Sequence, residues 1–259
     1  LNAAVRPLAL VTGAALRVGR ATCMALARAG CDIHITYRNS VDEAEELCRV
    51  LGLIPQRPGD PPISAVSTRL ELDDLAAVDA FGRGLAQQAR GVDIVVHNAS
   101  AYGPSPLDML DAEEALHHYR VNALAPLLLT RVLAPRLSES TLRGGGSVVC
   151  MCDIHAGDRP RRNFVAYNMS KAALEQMVRT LALDLAPKVR VNAVAPGAVA
   201  FPESGYESDP AMQERYLRRV PLQRVGTVDE AAEAVRWLAL DATYTTGLVV
   251  RVDGGRWLA

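Results

Sequence analysis

The chain has 259 residues, 49% of them hydrophobic, and a formal net charge of −1. That length suits one large α/β domain with a sizeable core, and the balanced charge excludes a polybasic nucleic-acid or membrane-surface binder. No apolar run is long enough to span a bilayer, the opening LNAAVRP has no signal-peptide core, and Cys23, Cys31, Cys48, Cys150 and Cys152 form no C-x-x-C pair or metal-ligand spacing, so they read as reduced packing thiols of a cytoplasmic protein.

Short apolar runs alternate with helical patterns along the whole chain. LALVT (8–12) reads as a strand followed by a helix over 18–29; DIHITY (32–37) precedes a helix over 41–51, and SAVST (64–68) precedes one over 73–89. VDIVVHN (92–98), GSVVCMC (146–152), VRVNAVA (189–195) and GLVVRV (247–252) are further strands, with long helices over 112–138, 165–186 and 228–240. Cys150 and Cys152 alternate along one strand and share a face. RPGDPP (57–62) is a turn-rich surface insertion. Continuously apolar strands suit a parallel sheet covered on both faces, and strand–helix alternation implies right-handed crossovers. The expected fold is α/β: a single Rossmann-type doubly wound domain over residues 1–259, with a mostly seven-stranded parallel sheet flanked by helices.

The stretch TGAALRVG (12–19) joins the first strand to the first helix, where a glycine turn lets backbone approach a dinucleotide phosphate. Gly13 permits the turn, Gly19 lets the helix pack closely on its strand, and Arg17 and Val18 stand between them. The helix N-terminus offers N–H groups and a positive dipole to pyrophosphate. Two glycines at this spacing are a weak signal alone. At the end of the second strand, TYRNS (Tyr37, Arg38, Asn39 and Ser40 its last four) carries no carboxylate to accept from ribose hydroxyls. A guanidinium, an amide and a hydroxyl suit a 2′-phosphate, which favours NADPH over NAD; Ser40 could equally cap the helix that starts at Val41.

YNMSK places Tyr167 and Lys171 at i, i+4 on one helix face. An ammonium beside a phenol favours phenolate, so Lys171 is expected to lower the pKa of Tyr167 and prepare it for proton transfer. Together with the TG turn, Asn98–Ala99, VNA at 121–123, PG at 196–197 and VDGG at 252–255, the pair resembles the short-chain dehydrogenase/reductase family over essentially the full chain. The resemblance implies that Tyr167 donates a proton, that Lys171 holds the nicotinamide ribose, and that Asn122 anchors a water relay to the lysine. It also implies that Asn98, Ala99 and Ser100 border the cofactor, that Glu71 and Leu72 border the adenine, and that Pro196 and Gly197 lead into a substrate loop at 198–220. A homotetramer is implied too, with the 165–186 helix and the C-terminal region as interfaces and Arg256 directed toward another subunit's site.

Departures from the family pattern are informative. Arg17 takes the place of its second glycine, Asp153 matches its usual catalytic serine, and NNAG becomes HNAS with His97 and Ser100. Taken together, Arg17, Asp153 and HNASAYGPSPL resemble the pteridine reductase subgroup. A serine hydroxyl suits a ketone oxygen, whereas a carboxylate repels a developing oxyanion. A pterin presents an aminopyrimidinone edge rich in N–H donors, from which Asp153 can accept, or Asp153 can share a proton with Tyr167. Arg17 can reach cofactor phosphate and pterin together, and Tyr102 can cover one pterin face. Plainer readings stand beside these: Asp153 as a loop cap, Arg17 as a phosphate ligand only, Tyr102 as loop packing. His97 reads as packing near the adenine ribose, and His117, His118 and His155 show no ligand pattern. GDRPRRNF, between Asp153 and Tyr167, is one residue longer than the pattern. The expected activity is NADPH-dependent reduction of a dihydropterin or dihydrofolate, with Asp153, Tyr167, Lys171 and Asn122 as the catalytic group; Arg17, Ser100, Tyr102, Asp153 and Tyr167 contact substrate. The alternatives are a carbonyl or 3-oxoacyl reductase and an inactive NADPH-sensing regulator.

Overall fold

Among the described residues, the seven expected runs become seven parallel strands: β1 (Leu8–Val11), β2 (Asp32–Tyr37), β3 (Ala65–Arg69), β4 (Ile94–His97), β5 (Gly146–Met151), β6 (Val189–Pro196) and β7 (Val249–Val252). They form one sheet in the order β3-β2-β1-β4-β5-β6-β7. The computed structural model describes residues 6–55, 61–88, 90–157, 159–199, 201 and 208–259. Most of the 57–62 insertion and part of the 198–220 loop lie outside the described residues.

Adjacent strand residues point to opposite faces, so each strand feeds two cores. Leu10, Val95 and Val148 pack with Leu129, Leu133, Leu174 and Val178 on one face. Val11, Ile94 and Val149 pack with Leu26, Leu47 and Leu238 on the other. Each such buried side chain contributes about 1.5–3 kcal/mol relative to exposure. Strand order reverses between β1, which pairs with β2 on one side and β4 on the other. A crevice opens at the carboxyl ends of strands at such a reversal.

The helices are α1 (Arg17–Arg28), α2 (Val41–Gly52), α3 (Leu75–Ala86), α4 (Ala112–Tyr119), α5 (Ala125–Leu137), α6 (Val165–Asp184), α7 (Pro210–Leu217) and α8 (Val228–Arg236). Asp74 and Asp111 cap α3 and α4 through their carboxylates, and Thr227 and Glu230 close a reciprocal capping box on α8. The helix expected over 112–138 is interrupted by a π turn, Arg120–Leu124, between α4 and α5. The helix expected over 228–240 ends in a second π turn, Trp237–Asp241. There the buried Arg190 guanidinium donates to the carbonyls of Leu238 (2.6 Å), Ala239 (2.7 Å) and Ala242 (3.0 Å), satisfying groups a helix end leaves open. α7 falls where only a loop was expected. Among the described residues, no helix is long and apolar enough to cross a membrane.

Candidate active site

The crevice between the ends of β1, β2 and β4 is a cleft of about 770 Å³. Gly13, Arg17, Val18, Gly19, Tyr37, Arg38, Glu71, Leu72, Asn98, Ala99, Ser100 and Tyr102 all line it. Gly13 has φ +60°, and a Cβ there would stand 2.7 Å from Ala99 Cβ. A Cβ on Gly19 would meet Asn98 Nδ2 at 2.6 Å and Ala14 Cα at 2.7 Å. The turn is tied to β4 by two side chains. Asn98 Nδ2 donates to the carbonyls of Thr12 and Gly13, both at 2.9 Å. Thr12 Oγ1 accepts from the amides of Asn98 (3.1 Å) and Ala99 (3.2 Å). Thr12 stood inside the quoted motif, but its role depends on β4 and only the fold reveals it.

Arg17 opens α1 at φ +51°, a left-handed conformation that a residue with a Cβ adopts at a cost. The N-cap, Leu16, offers no side-chain acceptor, and the first turn of α1 holds no acid. Its first residues line the cleft beside a cation, on a turn that leaves no room for a side chain at position 13 or 19. This fits a dinucleotide diphosphate.

At the other end of the cleft, Arg38 Nε lies 3.9 Å from Glu71 Oε2. A carboxylate thus stands near the expected 2′-phosphate position, supplied by the chain after β3 rather than β2. Asn39 and Ser40 follow Arg38 into α2. The capping alternative for Ser40 is not realised: with φ −84° and ψ 66° its backbone is not extended, and its hydroxyl makes no capping bond.

Tyr167 and Lys171 lie on one face of α6, 5% and 2% exposed. The Tyr167 hydroxyl donates to Asp153 Oδ2 at 2.7 Å, while Asp153 Oδ1 accepts from the His155 amide at 2.7 Å. Asp153 is therefore a turn residue and a partner of the phenol at once, and the longer loop does not displace it. Lys171 Nζ donates to the Met151 carbonyl at 2.7 Å. The expected lowering of the tyrosine pKa needs correction. Burial, then the charge and hydrogen bond of Asp153, push the Tyr167 phenol well above its ordinary range. Burial pushes the Lys171 ammonium down, opposed by Cys152, Asp153 and Cys150. A buried phenol against a carboxylate keeps its proton, and Lys171 is turned toward Met151.

Asn122 sits in the π turn with its amide fully engaged. Oδ1 accepts from Ser100 Oγ (3.1 Å) and the Ala101 amide (2.8 Å); Nδ2 donates to the Ala101 carbonyl and to Ser170 Oγ, both at 2.9 Å. Ser170 in turn donates to the Tyr167 carbonyl at 2.7 Å. Asn122 thus fastens the cleft wall at 100–101 to the helix that carries Tyr167. Ser170 was missed because nothing local distinguishes it.

Tyr102 packs edge-on to Tyr167, with ring centres 4.9 Å apart, and stacks on Phe164 at 5.3 Å. It is thus a packing residue of its loop that also lines the cleft. Pro196 ends β6, and Gly197 is crowded by Asp253 Cα and the Tyr216 hydroxyl, each 3.1 Å from where a Cβ would stand. His97 is a packing residue, but its partner is Thr130 Oγ1 at 2.7 Å, beneath α5; burial pushes its pKa down to about 3. His118 was set aside in the sequence, yet it lines the cleft, and burial holds its pKa down. Arg256, expected to reach a neighbouring subunit, is buried in its own chain. Nη1 donates to the Ala259 carbonyl at 2.9 Å, and the guanidinium lies 5.5 Å from the Tyr216 ring centre.

The pattern of the family described as Enoyl-(Acyl carrier protein) reductase matches residues 13–256. The chain belongs to the short-chain dehydrogenase/reductase family. It is 32% identical to pteridine reductase 1 of Leishmania tarentolae, over 96% of each chain. It is 31% identical to glucose 1-dehydrogenase of Gluconobacter oxydans, over 95% of this chain and 90% of that one. The crystal structure of an acetoin dehydrogenase from Salmonella typhimurium superposes with a TM-score of 0.84 at 28% identity, covering 98% of this chain and 97% of that one. The family is one of nicotinamide-dependent oxidoreductases. These relatives carry names of three unlike substrates, so likeness fixes the reaction type and leaves the substrate to the site.

Proposed function

We propose that the protein reduces a pterin, dihydrobiopterin, dihydromonapterin or dihydrofolate, to its tetrahydro form with NADPH. The observation that carries this reading is the 2.7 Å bond from Tyr167 to Asp153, a carboxylate where the family resemblance leads one to expect a serine hydroxyl. A carboxylate accepts and does not donate, which opposes a developing oxyanion and suits the N–H-rich edge of an aminopyrimidinone. Asp153 also keeps Tyr167 protonated, so a proton is in place for a ring nitrogen. Lys171 has donors beyond the one given to Met151 and binds the ribose side. Gly13, Gly19 and the amides of α1 take the diphosphate, Arg17 lies between diphosphate and substrate, and Arg38 favours a 2′-phosphate. Bound there, the nicotinamide supplies hydride to the pterin ring.

NADPH oxidation with dihydrobiopterin and dihydrofolate, beside a panel of ketones and an acetoacetyl thioester, tests the reading. Turnover of the pterins supports it; turnover of carbonyl substrates alone overturns it in favour of a carbonyl or 3-oxoacyl reductase. Tight NADPH binding with no turnover of any substrate favours the regulatory alternative. The proposal includes a cytoplasmic homotetramer packed through α6 and the C-terminal region, which a monomer in size-exclusion light scattering would overturn.

A further inference from the structure

We infer that Glu71 sets the coenzyme preference of this protein: with Arg38 it makes a site that takes both NADPH and NADH, NADPH the more tightly, and it keeps the difference between them small. The inference rests on the reading that the cleft binds a nicotinamide coenzyme with its adenosine end between β2 and β3, and it adds a specificity-determining residue to that reading.

Neighbouring strands bring the two residues together. β2 and β3 run parallel with Tyr37 beside Arg69, and the Leu70 amide extends the pairing past β3 by donating to the Tyr37 carbonyl at 2.8 Å. Leu70 and Leu72 pack into the core with Val78, which leaves Glu71 between them exposed on the cleft. Arg38 follows directly on β2, and Arg69 Nε holds its carbonyl at 3.1 Å. Both Arg38 and Glu71 line the cleft.

The two carboxylate oxygens of Glu71 differ in their surroundings. Oε1 accepts from the Asp73 amide at 3.3 Å, and the Asp73 carboxylate is itself held by Arg120 Nε at 2.5 Å and His117 Nδ1 at 3.0 Å. Oε2 stands 3.9 Å from Arg38 Nε, close enough to feel its charge and too far for a hydrogen bond. An anion can therefore take Arg38 without first breaking a hydrogen bond to Glu71, but it must settle beside a second negative charge.

The chemistry of the two coenzymes differs at this point alone. A ribose 2′-hydroxyl donates and a carboxylate accepts, whereas a 2′-phosphate is an anion that a carboxylate repels. A guanidinium has the opposite preference, for charge-assisted bonds to phosphate over a neutral hydroxyl. This end of the cleft thus holds one group suited to each coenzyme. NADPH gains Arg38 and meets Glu71; NADH gains Glu71 and gives Arg38 only a neutral partner. The side chains are 57% and 46% exposed, and interactions between charges so open to solvent are small, so neither group overrides the other.

Fluorescence titration with NADPH and with NADH, on the wild type, Glu71→Gln, Glu71→Asp and Arg38→Gln, tests this without turnover. The wild type is expected to bind both, NADPH about tenfold more tightly. Glutamine still accepts from the Asp73 amide, so Glu71→Gln keeps the turn; it tightens NADPH about three- to fivefold and weakens NADH about two- to threefold, widening the ratio about tenfold. Glu71→Asp draws the charge back by one methylene and gives an intermediate ratio. Arg38→Gln weakens NADPH about tenfold and spares NADH. Displacement by 2′,5′-ADP and by 5′-AMP, which carry no nicotinamide, should repeat the wild-type preference and needs no variant to fold. A wild type that separates the coenzymes by more than about a hundredfold, or a Glu71→Gln ratio that does not move, overturns the inference and leaves the coenzyme site standing. Tighter binding of NADH than of NADPH overturns it together with the NADPH assignment, and binding of neither overturns the coenzyme reading of the cleft as well. If the ratios move as expected while no pterin turns over, the inference holds and the pterin reading alone fails.

Discussion

Replacing Arg17 by glycine separates the backbone cost of this residue from its proposed hold on the cofactor. Arg17 holds φ +51° at the start of α1. A left-handed residue with a Cβ costs about 1–2 kcal/mol, which glycine removes. Glycine also frees the unfolded chain, which offsets about 0.5–1 kcal/mol of that gain. From the backbone alone the net effect on folding lies between nothing and about 1.5 kcal/mol of stabilisation, a rise in Tm of no more than about 3–6 °C for a domain of this size, less whatever the contacts of the Arg17 side chain contribute. The cofactor should respond in the opposite direction. A charge-assisted hydrogen bond is worth about 1.5–3 kcal/mol, so Arg17→Gly weakens NADPH binding about tenfold or more. Thermal melts without cofactor and a fluorescence titration with NADPH give the two readings. A Tm that drops sharply would show that native contacts of Arg17 outweigh its backbone strain; unchanged NADPH affinity would remove it from the cofactor site. Gly13→Ala is the control. It combines φ +60° with a Cβ 2.8 Å from the Ala99 Cα, where backbone would have to move, and should lose about 2–4 kcal/mol of stability together with cofactor binding.

Tyr167→Phe should lower kcat by about 10²- to 10⁴-fold with NADPH affinity largely retained; an enzyme that keeps full turnover has another proton donor. Asp153→Asn removes the negative neighbour that, with burial, holds the Tyr167 pKa up. The phenol then ionises more easily, so the alkaline limb of kcat/KM moves to lower pH, and a limb that stays in place sinks the assignment. Asp153→Ser should harm pterin turnover more than NADPH affinity, whereas equal loss of both would indicate a purely structural aspartate. His97 titrates near its usual 6.5 when unfolded and at about 3 when folded, so the unfolded state binds more protons between these values. Its effect is thus absent above the unfolded pKa, and stability falls as pH drops from about 6.5 toward 3. His97→Gln should reduce the loss of stability between neutral pH and pH 4, as measured by urea unfolding; an unaltered acid slope would point to other groups.

Much of this architecture is local information. Apolar runs, their spacing and the intervening helical patterns give seven parallel strands and two covering layers, because side-chain direction repeats every two residues in a strand and every 3.6 in a helix. Gly13 and Gly19 were legible for the same reason: a turn needing φ above zero and a close helix–strand approach leave room for no other residue. The i, i+4 spacing of Tyr167 and Lys171 put them on one face before any fold was known. What those residues do to one another was not local. Spacing suggested that Lys171 would lower the tyrosine pKa, but folding buries the phenol and sets Asp153 against it, and burial and the nearer charge prevail. Glu71 reaches Arg38 only because β2 and β3 are neighbours, and Asn122 spends all its hydrogen bonds on Ser100, Ala101 and Ser170 only because a π turn brings α4, α6 and the cleft wall together. Residue order sets the element pattern, the glycine turn and the chemical groups available. Tertiary structure alone decided which groups meet, in what protonation state and with which face open, since these depend on distances across the sheet and on lost solvent, neither of which is written in the order of the residues.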